Sequence, residues 1–222
     1  LHLGTLMAIL IYFKNDLLDI FSGLLQKQKN THRLAWCILW ASLPAGIIGF
    51  FTADWIESSL RSPTFVSTNL LFWSPVFYFA DRFTKRKRIS KSELSELSFS
   101  QIFFIGCAQA IALLPGTSRS GITIAAGLFS NLNHVAATRF SFLLGTPIIF
   151  AAGMHKLFTL VSGPTGFTGY TNLHLLVGLT ISFLVGLWAI NLLLKVVEKV
   201  GLMPFIIYRI ILAAAILFYY HG

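Results

Sequence analysis

The sequence predicts an all-α, polytopic transmembrane helical bundle that folds as one integral-membrane domain over residues 1–222. Of these residues, 55% are hydrophobic and only 11% are charged, whereas about 25% are charged in an ordinary soluble domain. Several apolar runs approach the roughly 20 residues needed to cross about 30 Å of hydrocarbon. A membrane barrel would need repeated short segments of alternating polarity, and the sequence does not have that pattern.

The first elements follow from where the apolar runs begin and end. The run at 1–13 covers only about 20 Å at 1.5 Å per residue, so we expect a partial helix there, followed by a polar and basic segment at 15–33. The next two runs, 34–52 and 65–81, are long enough to be spans. Pro44 lies inside the first of them, which membrane helices tolerate when neighbours satisfy the freed backbone groups.

The later elements follow in the same way. Polar composition predicts loops at 53–64, 82–98 and 162–172. Long apolar runs predict three further spans at 139–158, 173–194 and 203–220.

The net charge of +9 is gathered beside the apolar runs. Basic residues cluster at 27–33, 82–91 and 195–199. This is the positive-inside pattern, which places these clusters in the cytoplasm, and the same charges can attract the headgroups of anionic membrane lipids. The distribution argues against nucleic acid as a partner.

The segment 101–130 differs from the other apolar segments because a polar break at 115–121 interrupts it. About 14 apolar residues precede Pro115 and about 10 follow Ser120, so neither half is long enough to be a full span. Two short apolar pieces around a Pro/Gly break are typical of a broken or re-entrant helix pair. With the basic clusters in the cytoplasm, this segment must also begin and end on one side. We therefore predict a re-entrant hairpin at 101–130.

The break, LLPGTSRSGIT at 113–123, has the composition of an anion site. An arginine inside a bilayer costs on the order of 2.5–3.5 kcal/mol on insertion scales, and Arg119 has no acidic residue near it in the sequence. A ligand anion is therefore a reasonable partner. Arginine can form two parallel hydrogen bonds to a phosphate group, and hydroxyls at Ser118, Ser120 and Thr123 can add further bonds.

The position of the break favours the same chemistry. Pro115 and Gly116 end the first half-helix, and the second begins close to Gly121. A helix N-terminus presents free N–H groups and the positive end of a dipole, which suits phosphoryl transfer. The alternative is that Ser118 and Ser120 cap the helix while the arginine reaches out to the membrane interface.

The segment PGTSRSGIT at 115–123 resembles the PGxSRSxxT signature of the undecaprenyl-diphosphatase family, also called the bacitracin-resistance protein family, of the integral-membrane type. Other segments resemble parts of the same family in the same order. They are LHLGTLMAILIYF, SLPAGIIG, FFIGCAQAIALLPGTSRSGITIAAGL, RFSFLLGTPIIFAAG and PFIIYRI. The resemblance covers essentially the whole chain.

The resemblance implies a hydrolase of a polyprenyl diphosphate lipid in the bacterial plasma membrane. It would convert undecaprenyl diphosphate to undecaprenyl phosphate and phosphate, which recycles the lipid carrier of peptidoglycan synthesis. The implied fold is an all-α bundle of two inverted repeats, each with a re-entrant hairpin. The implied cofactor is a divalent cation, Mg²⁺ or Ca²⁺.

The resemblance also implies roles for single residues. Catalysis is assigned to Arg119 and Ser118. Substrate binding is assigned to Gly116, Thr117, Ser120, Thr123 and Gln109. Gln109 is included because it lies where the second repeat echoes a glutamate-rich motif of the first.

A second family signature, EGxTEFLPxSSTGH, has no match in this chain. In the family it carries the proposed metal ligands, base and nucleophile. We therefore expect a chain that lacks this N-terminal part and is inactive alone, with the cation ligands in the missing segment. A polyprenyl-phosphate transporter or flippase is the alternative, because broken helices around a midplane anion site are also transporter features. The oligomeric state is open, with a homo-oligomer compatible.

Four residues outside the break carry separate expectations. Cys37 and Cys107 lie in apolar runs and are expected to be buried thiols rather than disulfide partners. Arg209 lies inside a predicted span, so a polar partner or a cavity is expected beside it. His134 follows the second half-helix and is expected in a solvated turn. Histidine and cysteine spacings do not match a metal site.

Overall fold

The computed structural model describes residues 2–26, 29–87, 94, 97–162 and 172–221, and these residues are almost entirely helical. Its helices, in chain order, are α1 (His2–Tyr12), α2 (Lys14–Gln26), α3 (Lys29–Ser59), α4 (Pro63–Lys87), α5 (Phe99–Ile111), α6 (Arg119–Phe129), α7 (His134–Ser162), α8 (Asn172–Val200) and α9 (Met203–His221). The described part of the chain contains no strand.

Among the described residues, four helices are long and apolar enough to cross a membrane. They are Arg33–Ser59, His134–Met154, Leu173–Val200 and Met203–Tyr220, in α3, α7, α8 and α9. These four coincide with predicted spans, so the all-α membrane bundle is confirmed. The shorter apolar helices include Leu3–Tyr12 and Phe99–Ile111, which match the predicted partial helix and the first half of the predicted hairpin.

Helix α4 contains the predicted span at 65–81 but is not among the four apolar helices. It is long enough, with 25 residues, but its composition is more polar. The reason is visible in the packing, because Ser67, Ser74, Asp81 and Thr84 are all at most 3% exposed. The polar side of α4 faces the protein interior.

Several helices extend further than the apolar pattern predicts. The polar segment at 15–33 contains α2 and the start of α3, and Leu17 and Ile20 of α2 pack against the core. Helix α3 continues to Ser59, and α4 continues to Lys87. Hydropathy marks the part of a helix that lies in lipid, whereas the backbone hydrogen bonds continue into the polar residues at its ends. Most of the predicted loop at 162–172 lies outside the described residues.

Helix α6 lies at the centre of the bundle and packs against α4, α5 and α7. Every residue from Gly121 to Leu128 is buried. Helix α5 in turn packs closely on α3, because a Cβ at Gly106 would lie 2.7 Å from the Ala41 carbonyl oxygen. Helix α8 is at the periphery and packs mainly on α1, with only 6% of its most apolar window buried.

Candidate active site

The predicted hairpin consists of two short helices, α5 and α6, which pack against each other and are joined by residues 112–118. Ser98 and Gln101 form a capping box that starts α5. The structure places the break at 112–118, earlier than the predicted 115–121, since α6 already begins at Arg119. The cause is Ser118, whose side-chain oxygen accepts a hydrogen bond from the Gly121 N–H at 3.2 Å. The prediction that both ends lie on one side of the membrane stays a prediction.

The backbone of the break takes positive φ values on both sides of Thr117. Gly116 has φ +85°, and Ser118 has φ +72° with ψ 104°. Left-handed φ suits glycine but is uncommon for serine, and such residues cost about 1–3 kcal/mol when the surrounding structure holds them in place. Strain of this kind is typical of functional positions, and here it falls on a serine predicted to be catalytic.

Two residues from other helices hold the strained turn. Asn69 of α4 donates from Nδ2 to the Pro115 carbonyl and to the Thr117 hydroxyl, each at 2.8 Å. Arg209 of α9 donates to the Gly116 carbonyl at 2.9 Å and to the Leu70 carbonyl at 3.2 Å. The turn is therefore attached to α4 and α9 through its carbonyls and one hydroxyl.

Arg209 is 2% exposed, and its environment explains how a buried arginine is tolerated. Its guanidinium carbon lies 4.9 Å from the ring centre of Phe77 and 5.6 Å from that of Phe205. Cation–π contacts and two carbonyl acceptors offset part of the cost of burying the charge. The polar partner expected for Arg209 is thus the backbone of α4 and of the break.

Arg119 is the first residue of α6 and is partly exposed. Its guanidinium lies against Gly145 of α7, where a Cβ would be 3.4 Å from its Cζ. Its own carbonyl accepts a hydrogen bond from the Thr123 hydroxyl at 2.8 Å. Within the described part of the chain, no acidic side chain pairs with the guanidinium. The donors of Arg119 are therefore available to a ligand anion.

Thr117 and Thr123, both predicted to bind substrate, are buried at 0% and 1% exposure. The Thr123 hydroxyl lies 2.6 Å from that of Ser141 on α7, and Ser141 also lies 3.4 Å from the Ser120 carbonyl. In this conformation the two threonines hold the turn and the start of α6. Ser120 and Gly116 are partly exposed. The substrate-binding roles assigned to these residues stay predictions.

Gln109, near the end of α5, is 1% exposed. Neither its Oε1 nor its Nε2 has a hydrogen-bond partner within the described residues. A buried polar group without a partner costs about 1–3 kcal/mol, so each such group in a native structure calls for an explanation. An unpaired buried amide beside the break is compatible with the predicted binding role of Gln109.

Asp81 and His134 form a polar cluster at the other end of α6. His134 is the first residue of α7, and its Nε2 lies 2.8 Å from Asp81 Oδ1. The same oxygen accepts from the Leu202 N–H at 2.9 Å, and Lys85 lies 2.7 Å from Oδ2. The expectation of a solvated histidine is therefore wrong. The turn brings His134 onto the end of α4, where the side chain is 14% exposed.

The described residues do not by themselves fit a divalent cation. No group of three or more His, Cys, Asp or Glu that could hold a metal ion occurs among them. Asp81, a buried carboxylate in the described bundle, is already shared by a lysine, a histidine and a backbone N–H. The predicted divalent cation stays a prediction.

Three contacts of the site were not predicted from the sequence, those of Asn69, Ser141 and Gly145. The sequence contains a feature that could have indicated each of these contacts. An asparagine inside a predicted span needs a polar partner, and Asn69 lies inside 65–81. A serine and a glycine four residues apart share one helix face and permit close packing, which describes the face of α7 that meets α6.

The chain is similar to one family of known proteins over nearly its whole length. Residues 1–215 match the family model described as bacitracin resistance protein BacA. The chain is 38% identical to "Undecaprenyl-diphosphatase 2" of Stutzerimonas stutzeri (strain A1501), with 100% of this chain and 82% of that protein covered. It is 36% identical to "Undecaprenyl-diphosphatase" of Alteromonas mediterranea, with coverages of 98% and 81%. It is 37% identical to "Undecaprenyl-diphosphatase" of Idiomarina loihiensis, with coverages of 97% and 80%.

Proposed function

The chain belongs to the bacitracin resistance protein BacA family, and from this premise we propose that it is an undecaprenyl-diphosphate phosphatase. It hydrolyses undecaprenyl diphosphate to undecaprenyl phosphate and phosphate. The observation in the structure that carries the proposal is Arg119, a partly exposed arginine inside a membrane bundle with no acidic partner among the described residues. A diphosphate headgroup supplies the missing negative charge.

The start of α6 provides further donors for a phosphate group. Ser118 Oγ accepts from the Gly121 N–H, and the Ser118 carbonyl accepts from the Ile122 N–H. The N–H groups of Arg119 and Ser120 come before these and have no intrahelical acceptor. They carry the positive end of the helix dipole, which favours an anion.

These donors match the charge that develops during phosphoryl transfer. In the transition state, negative charge spreads over the oxygens of the transferred phosphoryl group, and fixed donors stabilise it without reorganising. Arg119 can form two parallel bonds to two of these oxygens. Ser118 is predicted to act beside it, and its hydroxyl hydrogen remains available while Oγ accepts from Gly121. Water is the phosphoryl acceptor in the overall reaction.

The setting of the site agrees with a lipid substrate. The chain is a multi-pass membrane protein, and its exposed apolar side chains on α3, α8 and α9 provide a surface for lipid chains. The bacterial plasma membrane is the finer location that we propose, because undecaprenyl diphosphate is a lipid of cell-wall synthesis. We also propose a divalent cation, Mg²⁺ or Ca²⁺, as the cofactor. The oligomeric state stays open, with a homo-oligomer compatible.

The test is phosphate release from a long-chain polyprenyl diphosphate by the product of the complete gene, in detergent with Mg²⁺ or Ca²⁺. Removing one transition-state donor typically lowers kcat by about 10²–10³-fold, so we expect a loss of that size in Arg119→Ala. Arg119→Lys should recover little, because an ammonium group cannot form the planar fork.

Arg139→Ala is the matched control, because Arg139 is a surface arginine paired with Asp16 at 2.7 Å, away from the break. Its activity should stay near that of the wild type. Equal activity of wild type and Arg119→Ala would contradict the proposal. A wild type that binds lipid phosphate but releases no phosphate, with binding lost in Arg119→Ala, would instead support the transporter.

A further inference from the structure

Asn69, in the first third of α4, makes an unusual pair of contacts because both of them lie outside its own helix. Its Nδ2 donates to the Pro115 carbonyl and to the Thr117 hydroxyl, each at 2.8 Å. These acceptors lie two residues apart, on either side of Gly116. The Asn69 side-chain amide therefore holds the break on both sides of Gly116.

The buried serine hydroxyls of α4 do not behave in this way. Ser67 donates to the Pro63 and Thr64 carbonyls of its own helix. Ser74 donates to the Leu70 carbonyl, one turn before it. Both hydrogen bonds of Asn69 instead leave the helix and end on residues 46 and 48 positions further along the chain. Asn69 therefore acts on the break rather than on α4.

The backbone N–H groups of residues 112–114 donate to α5, but after Leu114 the turn at 115–117 has one such backbone hydrogen bond, so it needs a contact from outside. The Thr117 N–H donates to the Leu114 carbonyl at 3.2 Å, while Gly116 and Ser118 adopt left-handed φ values. Fixing one residue costs about 1–2 kcal/mol in backbone entropy, and a strained residue keeps its conformation only when neighbouring contacts impose it. Hydrogen bonds from outside the turn supply that constraint.

The constraint is passed directly to Arg119. Thr117 precedes Ser118, which caps α6, and Arg119 is the first residue of that helix. A displacement of Thr117 therefore changes where α6 begins and where the guanidinium lies. A misplacement of about 1 Å in a positioned group can cost on the order of 10²-fold in rate.

We propose that Asn69 is a positioning residue for the phosphate chemistry of Arg119, acting through the turn at 115–117 without touching the substrate. The inference rests on the proposed phosphatase function. It also gives buried Thr117 a role, as the hydroxyl through which α4 holds the turn. A residue that sets the orientation of a catalytic group affects the transition state more than the bound substrate.

The experiment compares Asn69→Asp with wild type in the protein made from the complete gene. Aspartate has nearly the same shape as asparagine, but its carboxylate has no hydrogen to donate. We expect kcat for phosphate release to fall about 10–100-fold, with KM changed by less than about twofold. The control is Ser74→Ala, which removes a buried hydroxyl of α4 that bonds only within the helix, and it should keep wild-type kcat and KM.

A second measurement does not depend on activity. The amides of Thr117, Gly121 and Ile122 donate to Leu114 O, Ser118 Oγ and Ser118 O. We expect these amides to exchange with deuterium faster in Asn69→Asp and unchanged in Ser74→Ala. If Asn69→Asp does not fold, Thr117→Val removes one of the two acceptors at constant shape and should produce the same faster exchange at Gly121 and Ile122.

Each outcome decides the inference. A lower kcat at constant KM, together with faster exchange, supports it. Wild-type kcat, a raised KM at unchanged kcat, or unchanged exchange overturns it, since a raised KM would mean direct substrate binding. If the wild type releases no phosphate, the proposed function fails, and the exchange data alone then decide whether Asn69 holds the turn.

Discussion

Replacing Gly116 with alanine tests the geometry of the break most directly. Gly116 has φ +85°, and a Cβ there would lie 2.5 Å from the Val66 carbonyl oxygen and 3.2 Å from Val66 Cα. Contacts below 3.0 Å do not occur for real Cβ atoms, so the turn must move away from α4. That movement draws the Gly116 carbonyl away from Arg209, which donates to it at 2.9 Å.

The size of the effect follows from these two costs. A left-handed conformation costs an L-residue about 1–2 kcal/mol relative to glycine. A hydrogen bond from a charged donor contributes about 1.5–3 kcal/mol, and part of it is lost as the turn shifts. We expect Gly116→Ala to lower the free energy of unfolding by about 3 kcal/mol. Phosphate release should fall as well, because Arg119 follows the turn.

The assay uses a buried thiol as the reporter of unfolding. Cys37 is 4% exposed and forms no disulfide, so a maleimide dye that fluoresces on reacting with a thiol reaches it only when the bundle opens. The detergent-solubilised protein is heated with the dye, and the midpoint of the fluorescence rise is recorded. Cys107 is partly exposed, so it reacts with the dye before unfolding and gives the baseline fluorescence at low temperature.

Gly46→Ala is the matched control within α3. A Cβ at Gly46 would meet no atom within 4 Å, and alanine in a helix interior is favoured over glycine by about 0.5–1 kcal/mol. Its midpoint should equal or exceed that of the wild type. If Gly116→Ala melts at the same temperature as Gly46→Ala, the close approach of the turn to Val66 is refuted.

Three further substitutions follow from the packing. Gly145→Leu should lower kcat, because its side chain displaces the Arg119 guanidinium, and it should also lower the melting midpoint, because Gly145 is buried and overpacking is destabilising. Gly106→Val should lower the midpoint, since a Cβ 2.7 Å from the Ala41 carbonyl oxygen forces α3 and α5 apart, and overpacking costs about 1–3 kcal/mol. Asp81→Ala should also lower the midpoint, with a loss of about 1–3 kcal/mol, because it leaves buried donors unpaired.

Each of these substitutions has its own control or contrary result. Gly145→Ala places a Cβ at 3.4–3.7 Å from the guanidinium, an ordinary contact, so full activity is expected. An inactive Gly145→Ala together with an active Gly145→Leu would contradict the assigned position of Arg119. For Gly106→Val and Asp81→Ala, a wild-type midpoint would show that the close helix contact or the polar cluster contributes nothing to stability.

The fold class was predictable because it depends on average composition along the chain. Four of the five predicted spans coincide with long apolar helices. Helix α4 shows the limit, because hydropathy records how many polar residues a segment has but not which way they point. Three of its polar side chains are buried, those of Ser67, Ser74 and Asp81. Their burial can be predicted only when the packing of the neighbouring helices is known.

The polar break was predictable from residues that lie close together in the sequence. The contacts from other helices that hold it were not. Proline, two glycines and a serine cap lie within a few residues of one another, and each acts on its immediate neighbours. The contacts of Asn69 with Thr117 and of His134 with Asp81 join residues 48 and 53 positions apart. Such pairs depend on how the helices pack. A local sequence pattern therefore identifies the polar residue but not its partner.

The hydrogen bond from Arg209 to the Gly116 carbonyl has a consequence for how the protein is made. It joins residues 93 positions apart, and a ribosome adds about 5–20 residues per second. The arginine therefore emerges about 5–20 s after the turn that it holds. In about the second half of that interval, once Ser162 has been added, the nascent chain can contain α5, α6 and α7, but the donor to the Gly116 carbonyl has not yet been synthesised. Biogenesis of the phosphate-binding turn is complete only after α9 has entered the membrane.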